Sequence, residues 1–367
     1  MDQRDEWIAR GLYDPAASDA PQRFELLEWV AAHGLTVDEM VAADAKHQLG
    51  SLVGDRSLRP GRRMTIAAIA DVTGLSAEQV TELSRATGVP PLAPGEAMYT
   101  EPDIPMFELF ATARQFFSDD ELIHFTRVVG SSMRRIAEAA GEMFLRDVEA
   151  RVWSSTDATP LEMAKASLAG VQLAHSATQL FDPLFRAHVE LSTEVMRRAR
   201  EGIDDYSTMP LAVGFVDLNG FTAKSGRLSA SELLELVMTF ESAALDLVSE
   251  HGGRLIKLIG DEVMFSTVEP TEACAVAAAL VREASTWASG GRAGIAHGHV
   301  ITSGGDVYGE IVNLAARIVD IAVPGEVLVN RAVVERADAL RFESAGRRQL
   351  KGFAEPVRLW SLADSPE

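Results

Sequence analysis

The amino-acid sequence predicts an α+β protein in two parts, an N-terminal all-α part and a second part in which strands and helices alternate around one sheet. Between residues 23 and 189 the apolar spacing is mostly helical, and segments open with Ser or Thr three positions before Glu or Gln. From residue 211 the order of elements is βαββαβ, the split-βαβ or ferredoxin-like arrangement. Two strand-like runs of that second part end at a carboxylate beside a glycine-containing turn, at Asp217 and at Asp261.

The 367 residues, 47% hydrophobic and 24% charged, suffice for two buried cores. The expected division is a helical domain over 1–182, a connecting helix and linker over 183–207, and a second domain over 208–367. A formal charge of −20 and a pI of about 4.8 repel polyanions, so no nucleic-acid partner is expected. The single cysteine, Cys274, lies in the run Ala273-Cys274-Ala275-Val276-Ala277 and reads as a small core residue, which excludes an intrachain disulfide. The opening Met1-Asp2-Gln3-Arg4-Asp5-Glu6 is too charged for a secretory signal, and no apolar run approaches the roughly 18 residues of a membrane span. A cytoplasmic chain without a membrane span is expected.

In the first part, Ser76 with Gln79 opens a helix that stops near Gly88 and Pro90-Pro91, and Ser118 with Glu121 opens another. Thr159 with Glu162 opens a third, with Pro160 at its first helical position. Residues 89–105, rich in Pro and Gly, read as a linker or irregular crossing. Residues 66–80 have the helix, Gly-containing turn and helix spacing of a DNA-reading unit. The second of these helices sets Glu78 and Glu82 against Arg85, a poor partner for phosphates, so an ordinary helical hairpin is expected. After Thr159 the helical pattern runs to about residue 200, with Pro183 expected to kink or break it. Beyond the proline, Leu184, His188, Leu191 and Val195 recur at coiled-coil-like spacing and point at a partner helix. His188 in that stripe, and His175 between Val171 and Thr178, read as packing residues or as a switch that re-pairs on protonation near neutral pH. Residues 201–207 end the helix and lead into the second part.

There, an apolar strand ends in Phe215-Val216-Asp217-Leu218-Asn219-Gly220, and Ser229 with Glu232 opens a helix over 229–251. Leu233, Val237, Phe240, Ala244 and Leu247 form the single apolar stripe that a helix packed on a sheet requires. A hairpin over 254–267 turns at Gly260-Asp261, followed by a helix over 271–286, a strand over 292–302, a helix over 308–321, and strands over 326–330 and 357–362. Ser303-Gly304-Gly305 reads as a long approach to Asp306. Alone, Asp217 and Asp261 are ordinary turn or cap residues. If their strands are neighbours, they meet at one end of the sheet as hard oxygen ligands and can share magnesium or manganese. Asn313 and Arg317, four apart on one helix face, form a common surface pair that can also orient a hydroxyl and stabilise a phosphate.

In order and spacing, Phe215-Val216-Asp217-Leu218-Asn219-Gly220-Phe221-Thr222, Lys257-Leu258-Ile259-Gly260-Asp261, Asp306-Val307-Tyr308-Gly309 and Asn313-Leu314-Ala315-Ala316-Arg317 resemble the active-site motifs of class III nucleotidyl cyclases. The resemblance covers roughly residues 210–362. The upstream helices are similar to the regulatory domain of pH-responsive adenylate cyclases from mycobacteria. The resemblance implies an adenylate cyclase that converts ATP to 3′,5′-cyclic AMP and pyrophosphate. By the same likeness Asp217 and Asp261 bind two divalent cations per active site, Mg2+ or Mn2+, and Lys257 and Asp306 read the purine. Phe221 and Thr222 are further substrate contacts, Asn313 orients the ribose, Arg317 meets charge at the α-phosphate, and Lys351 is the candidate triphosphate lysine. Lys257 is donor-only and ionised Asp306 acceptor-only, which suits the N1 acceptor and amine of adenine and mismatches guanine.

In this family the Asp pair of one subunit faces the purine-reading and transition-state residues of the other, so a homodimer would complete two sites and a monomer none. The helical part would then tune the dimer in response to pH or lipid, with room for a small apolar ligand between its helices. A guanylate cyclase is the first alternative, opposed by Lys257 and Asp306. A catalytically silent, cyclase-like nucleotide or ligand sensor is the second, opposed by the presence of all six expected side chains.

Overall fold

Apolar residues at helical spacing close the first unit, Met1–Phe185, around two cores. The computed structural model describes residues 2–89, 95, 97–150, 159–200 and 207–363, and the second unit spans Arg186–Glu367. Trp7, Leu27, Val30 and Met40 fill the first core, beneath α1 (Gln3–Ala9), α2 (Ala20–Ala32), α3 (Val37–Asp44) and α4 (Leu52–Leu58). Ile69, Val80 and Phe107 fill the second, where two-residue strands β1 (Arg63–Met64) and β2 (Tyr99–Thr100) accompany α5 (Ile66–Thr73), α6 (Ala77–Ala86), α7 (Ile104–Ala113) and the start of α8 (Asp119–Phe144). The unit continues with α9 (Pro160–Ala177), whose Ala164 enters the first core. Among the described residues no helix is long and apolar enough to cross a membrane.

The helix starts are set by side chains that replace missing backbone acceptors. Ser76, Ser118 and Thr159 each make both reciprocal bonds of a capping box, with Gln79, Glu121 and Glu162. A further box, Thr36 with Glu39, obeys the same rule and was missed. Each such cap is worth about 1 kcal/mol. Residues 66–86 form the helical hairpin, turning through Gly74 at φ 73, with Glu78, Glu82 and Arg85 on its exposed side. The stretch expected as linker over 89–105 contains, in its described part, β2, a 3-10 turn at Glu101–Asp103 and the first residues of α7. The helix stop at Pro90-Pro91 and the helix end over 201–206 lie outside the described residues.

Pro183 does not break its helix. The break falls earlier, at a 3-10 turn over Thr178–Leu180, and α10 (Phe181–Ala199) then carries Pro183 within its first turn. A proline is tolerated there because first-turn amides have no intrahelical acceptor to lose.

The second unit is built on one mixed sheet. Strand β3 (Met209–Leu218) is central, antiparallel to β5 (Glu262–Thr267) on one edge and to β6 (Gly291–Ser303) on the other. Strand β4 (Arg254–Ile259) adds outside β5, giving the β4-β5-β3-β6 order of a split-βαβ fold. Beyond β6 the sheet continues through parallel β8 (Val327–Asn330) to antiparallel β10 (Val357–Leu362) and β9 (Phe342–Arg348). Among the described residues strand β7 (Asp306–Tyr308) pairs with β6 alone. Both β7 and β9 were missed, β7 because three residues are too few to show a period and β9 because its apolar content is low.

Alternation along the strands sends Val216, Phe265 and Ile295 into one core and Phe215, Met264 and Ala296 into the other. The first lies under α12 (Ala230–Glu250), with Phe240 and Ala244 buried as the stripe requires, and under α13 (Pro270–Trp287), where Cys274 is 1% exposed. Burial pushes the Cys274 thiol up to about 12. The second core lies under α14 (Glu310–Ile321). Short helices α11 (Phe221–Ser225) and α15 (Arg331–Arg336) complete the unit.

His297 of β6 is 5% exposed, its amide donating to the Asn330 side chain. Burial, with Arg336 nearby, pushes it down from 6.5 to about 4. The unfolded chain therefore takes up a proton that the folded one refuses between those two values, so stability falls as pH drops through that window and levels off below it. We expect the urea midpoint of the wild-type chain to fall with acidification by an amount equivalent to roughly 2–3 kcal/mol more than that of His297→Gln. Parallel pH dependences in the two chains would refute this.

Candidate active site

The end of β3 gathers charge because its neighbours are in register there. Asp217 lies opposite Glu262 on one side and Arg292 on the other. The Leu218 amide donates to the Asp261 carbonyl at 3.2 Å, which holds the Gly260-Asp261 turn against the end of β3. Gly260 at φ 67 begins that two-residue hairpin as a type II′ turn requires. The two aspartates thus meet at one sheet end. Arg292 was missed, since nothing but strand register reveals that it faces Asp217.

Arg292 donates through Nε and Nη2 to a single oxygen of Asp217, at 2.8 and 2.6 Å, and through Nη1 to the carbonyls of Asp320 and Ala322 at the end of α14. Burial, then the charges of Asp217, Asp320 and Asp261, push Glu262 up to about 7, against the opposing pull of Arg292. So much negative charge, in hard oxygen atoms, fits a divalent cation. Among the described residues no three His, Cys, Asp or Glu form a metal-holding group. The two aspartates would therefore leave most ligand positions to water, backbone carbonyls and substrate oxygens, the mode magnesium favours.

Lys257 reaches its position through an irregularity. Leu255 pairs with Phe265, yet Lys257 pairs with the adjacent Met264, so a bulge at Ile256 puts Lys257 on the α14 face of the sheet. There its Nζ donates to Asp306 Oδ2 at 2.5 Å. Asp306 arrives by a tight hairpin rather than a long approach: Ser303 pairs with Asp306 across Gly304 and Gly305, at φ 59 and 83. Burial raises the Asp306 pKa, but the Lys257 bond and the Val307 amide outweigh it and hold the carboxyl below the ordinary carboxylate range.

Helix α14 starts after Gly309 at φ 126 and lies close on β6. A Cβ at Gly294 would collide with the Val319 amide nitrogen and come 2.7 Å from the Ala315 carbonyl, and one at Gly298 would press into Ile311. The two glycines let the helix pack directly on the strand. Leu314, Ala315, Ile318 and Val319 go down into the core, which leaves Asn313 exposed and Arg317 half-buried on the outer side. Arg317 pairs with Asp320 at 2.8 Å.

Other candidates are placed differently. The Phe221 ring is 8% exposed, in the core against Phe240 at 6.0 Å, so its side chain is withdrawn from any substrate and only its backbone remains for contact. Thr222 is exposed and its carbonyl accepts from the Ser225 hydroxyl and the Gly226 amide. Lys351 is exposed in the turn between β9 and β10, with no bond to the residues above among the described ones. His175 and His188 are exposed, and the stripe around His188 is open, with Leu184 and Leu191 55% and 62% exposed.

A helical unit ahead of a split-βαβ unit with paired carboxylates and a Lys-Asp pair defines a class, and sequence comparison agrees. Residues 203–363 match the adenylate and guanylate cyclase catalytic domain, and residues 2–190 match the adenylate cyclase regulatory domain. An uncharacterised protein of Mycobacterium tuberculosis is 31% identical over 94% of this chain and 91% of its own length. An adenylate cyclase of Streptomyces coelicolor is 30% identical over 75% of this chain and 71% of its own, and a pH-sensitive adenylate cyclase of Mycobacterium tuberculosis 28% identical over 96% and 90%. The chain belongs to the family of adenylate cyclases that join this regulatory domain to the cyclase catalytic domain.

Gly294→Ala is expected to lift α14 from β6, lowering stability by roughly 1–3 kcal/mol. Equilibrium denaturation measures the loss, and an unchanged midpoint would mean that the helix yields freely.

Proposed function

We propose that the chain is an adenylate cyclase converting ATP to 3′,5′-cyclic AMP and pyrophosphate by in-line attack of the ribose 3′-hydroxyl on the α-phosphate, working as a cytoplasmic homodimer with two equivalent sites. The observation that carries this reading is the Lys257–Asp306 contact at 2.5 Å, a donor-only and an acceptor-only group side by side. That order matches the adjacent N1 acceptor and exocyclic amine of adenine, and favours ATP over GTP.

Magnesium or manganese at Asp217 and Asp261, two ions per site, would lower the pKa of the 3′-hydroxyl and neutralise the departing pyrophosphate. The chain's own residues do the positioning. Asp217 and Asp261 offer hard oxygens at one sheet end, the Asn313 amide orients the ribose, and the Arg317 guanidinium meets charge developing on the α-phosphate. Each set occurs once per chain, which supports sites completed by a second copy.

The helical unit would regulate this site. Displacement of one subunit by about 1 Å is enough to misalign a site shared across an interface. The similarity to a pH-sensitive cyclase and the exposed apolar side chains of Leu184, Leu191 and Met196 support activation by acid through the segment 184–200. A half-open cavity of about 580 Å³ in the helical unit, bordered by Leu26, Leu49, Phe144 and Met163 with Arg23 and Asp44, would be the place for a small ligand.

Asp217→Ala and Arg317→Ala chains are each expected to lose at least about 100-fold in activity. Mixed in equal amounts they should recover about a quarter of the wild-type rate, since half the dimers are mixed and each has one intact site. The same assays, run with manganese, should favour ATP over GTP; no recovery, or preference for GTP, would refute the respective claims. A chain beginning at Ser207 is expected to lose the acid response and, by native mass spectrometry, any copurified small molecule. An unchanged pH profile would exclude the helical unit as sensor.

A further inference from the structure

Arg317, the residue read above as meeting the α-phosphate, is held by its own helix. Its Nη1 donates to Asp320 Oδ2 at 2.8 Å, with the two side chains 41% and 55% exposed. Asp320 is fixed at the other end as well, because its carbonyl accepts from Arg292 Nη1 at 3.1 Å and Arg292 in turn grips Asp217. The Asp320 charge also reaches the acidic end of β3, being the second-largest charge acting on Glu262. One residue therefore touches the cation of the transition-state group through its side chain and the brace of the metal-binding carboxylate through its backbone.

We propose that Asp320 is a positioning residue that keeps Arg317 folded against its own subunit until a nucleotide triphosphate competes for the guanidinium. The inference rests on the reading of Arg317 as a phosphate-facing group. The effect is competitive: the ion pair occupies the donors that a phosphate would use. An exposed pair three residues apart on a helix is weak, which suits a restraint that substrate must displace at every turnover. Asn in place of Asp keeps the backbone carbonyl, so the Arg292 brace persists while the charge disappears.

The test is a double-mutant cycle on the full-length chain, read first by calorimetric binding of magnesium 3′-deoxy-ATP, which lacks the attacking hydroxyl. Asp320→Asn is expected to bind it roughly two- to fivefold more tightly than wild type. In the Arg317→Ala background the same substitution should change affinity little, and Asp320→Glu should restore wild-type behaviour. In turnover assays with ATP the effect should fall on KM rather than on kcat, and it should shrink at high salt. Equal affinities of wild type and Asp320→Asn, or a gain that persists without Arg317, would overturn the role of Asp320. A wild-type chain that binds the analogue and yet forms no cyclic AMP would overturn the cyclase reading instead.

Discussion

Strand β3 is hydrogen-bonded along both edges and buried on both faces, so a carboxylate can appear only where the ladder runs out. That constraint organises the second unit. Residues 209–216 are wholly buried, and Asp217 is the first position with access to solvent. Its neighbours in register, Glu262 and Arg292, are also charged, and the arginine offsets part of the negative charge that the cluster accumulates. The site is thus built where the sheet stops being able to bury polar groups.

The second requirement is a helix that lies close enough to the sheet to present its outer face at a fixed height. Gly294 and Gly298 supply this on β6, and Gly309 starts the helix in a conformation that other residues avoid. Asn313 and Arg317 then follow from the helical period, since the positions beside them are consumed by the core. The bulge at Ile256 plays the matching part on β4 by turning Lys257 toward Asp306. A strand of strict alternation would have put Lys257 on the same face as Leu255, under the opposite helices.

The helical unit follows different physics. Its two small cores hold the short helices, whereas α8 and the start of α10 leave large apolar side chains such as Phe125, Ile136 and Phe185 exposed.

Local signals were legible because their causes are local. Four capping boxes, the hairpin at Gly74, the apolar stripe of α12 and the burial of Cys274 each depend on a few neighbouring side chains, and each stands as the spacing implies. The βαββαβ order was likewise legible, as a pattern of period, whereas the reading of Asp217, Asp261, Lys257, Asp306, Asn313 and Arg317 as one site came from the resemblance to the cyclases. Pairings across sequence distance were not legible. Arg292 on Asp217, Asp320 on Arg317, the register shift beside Lys257 and the inward turn of Phe221 arise from strand register and helix packing. No stretch of contiguous residues encodes such contacts, because each is the sum of many small packing preferences that acquire a direction only when the whole unit closes.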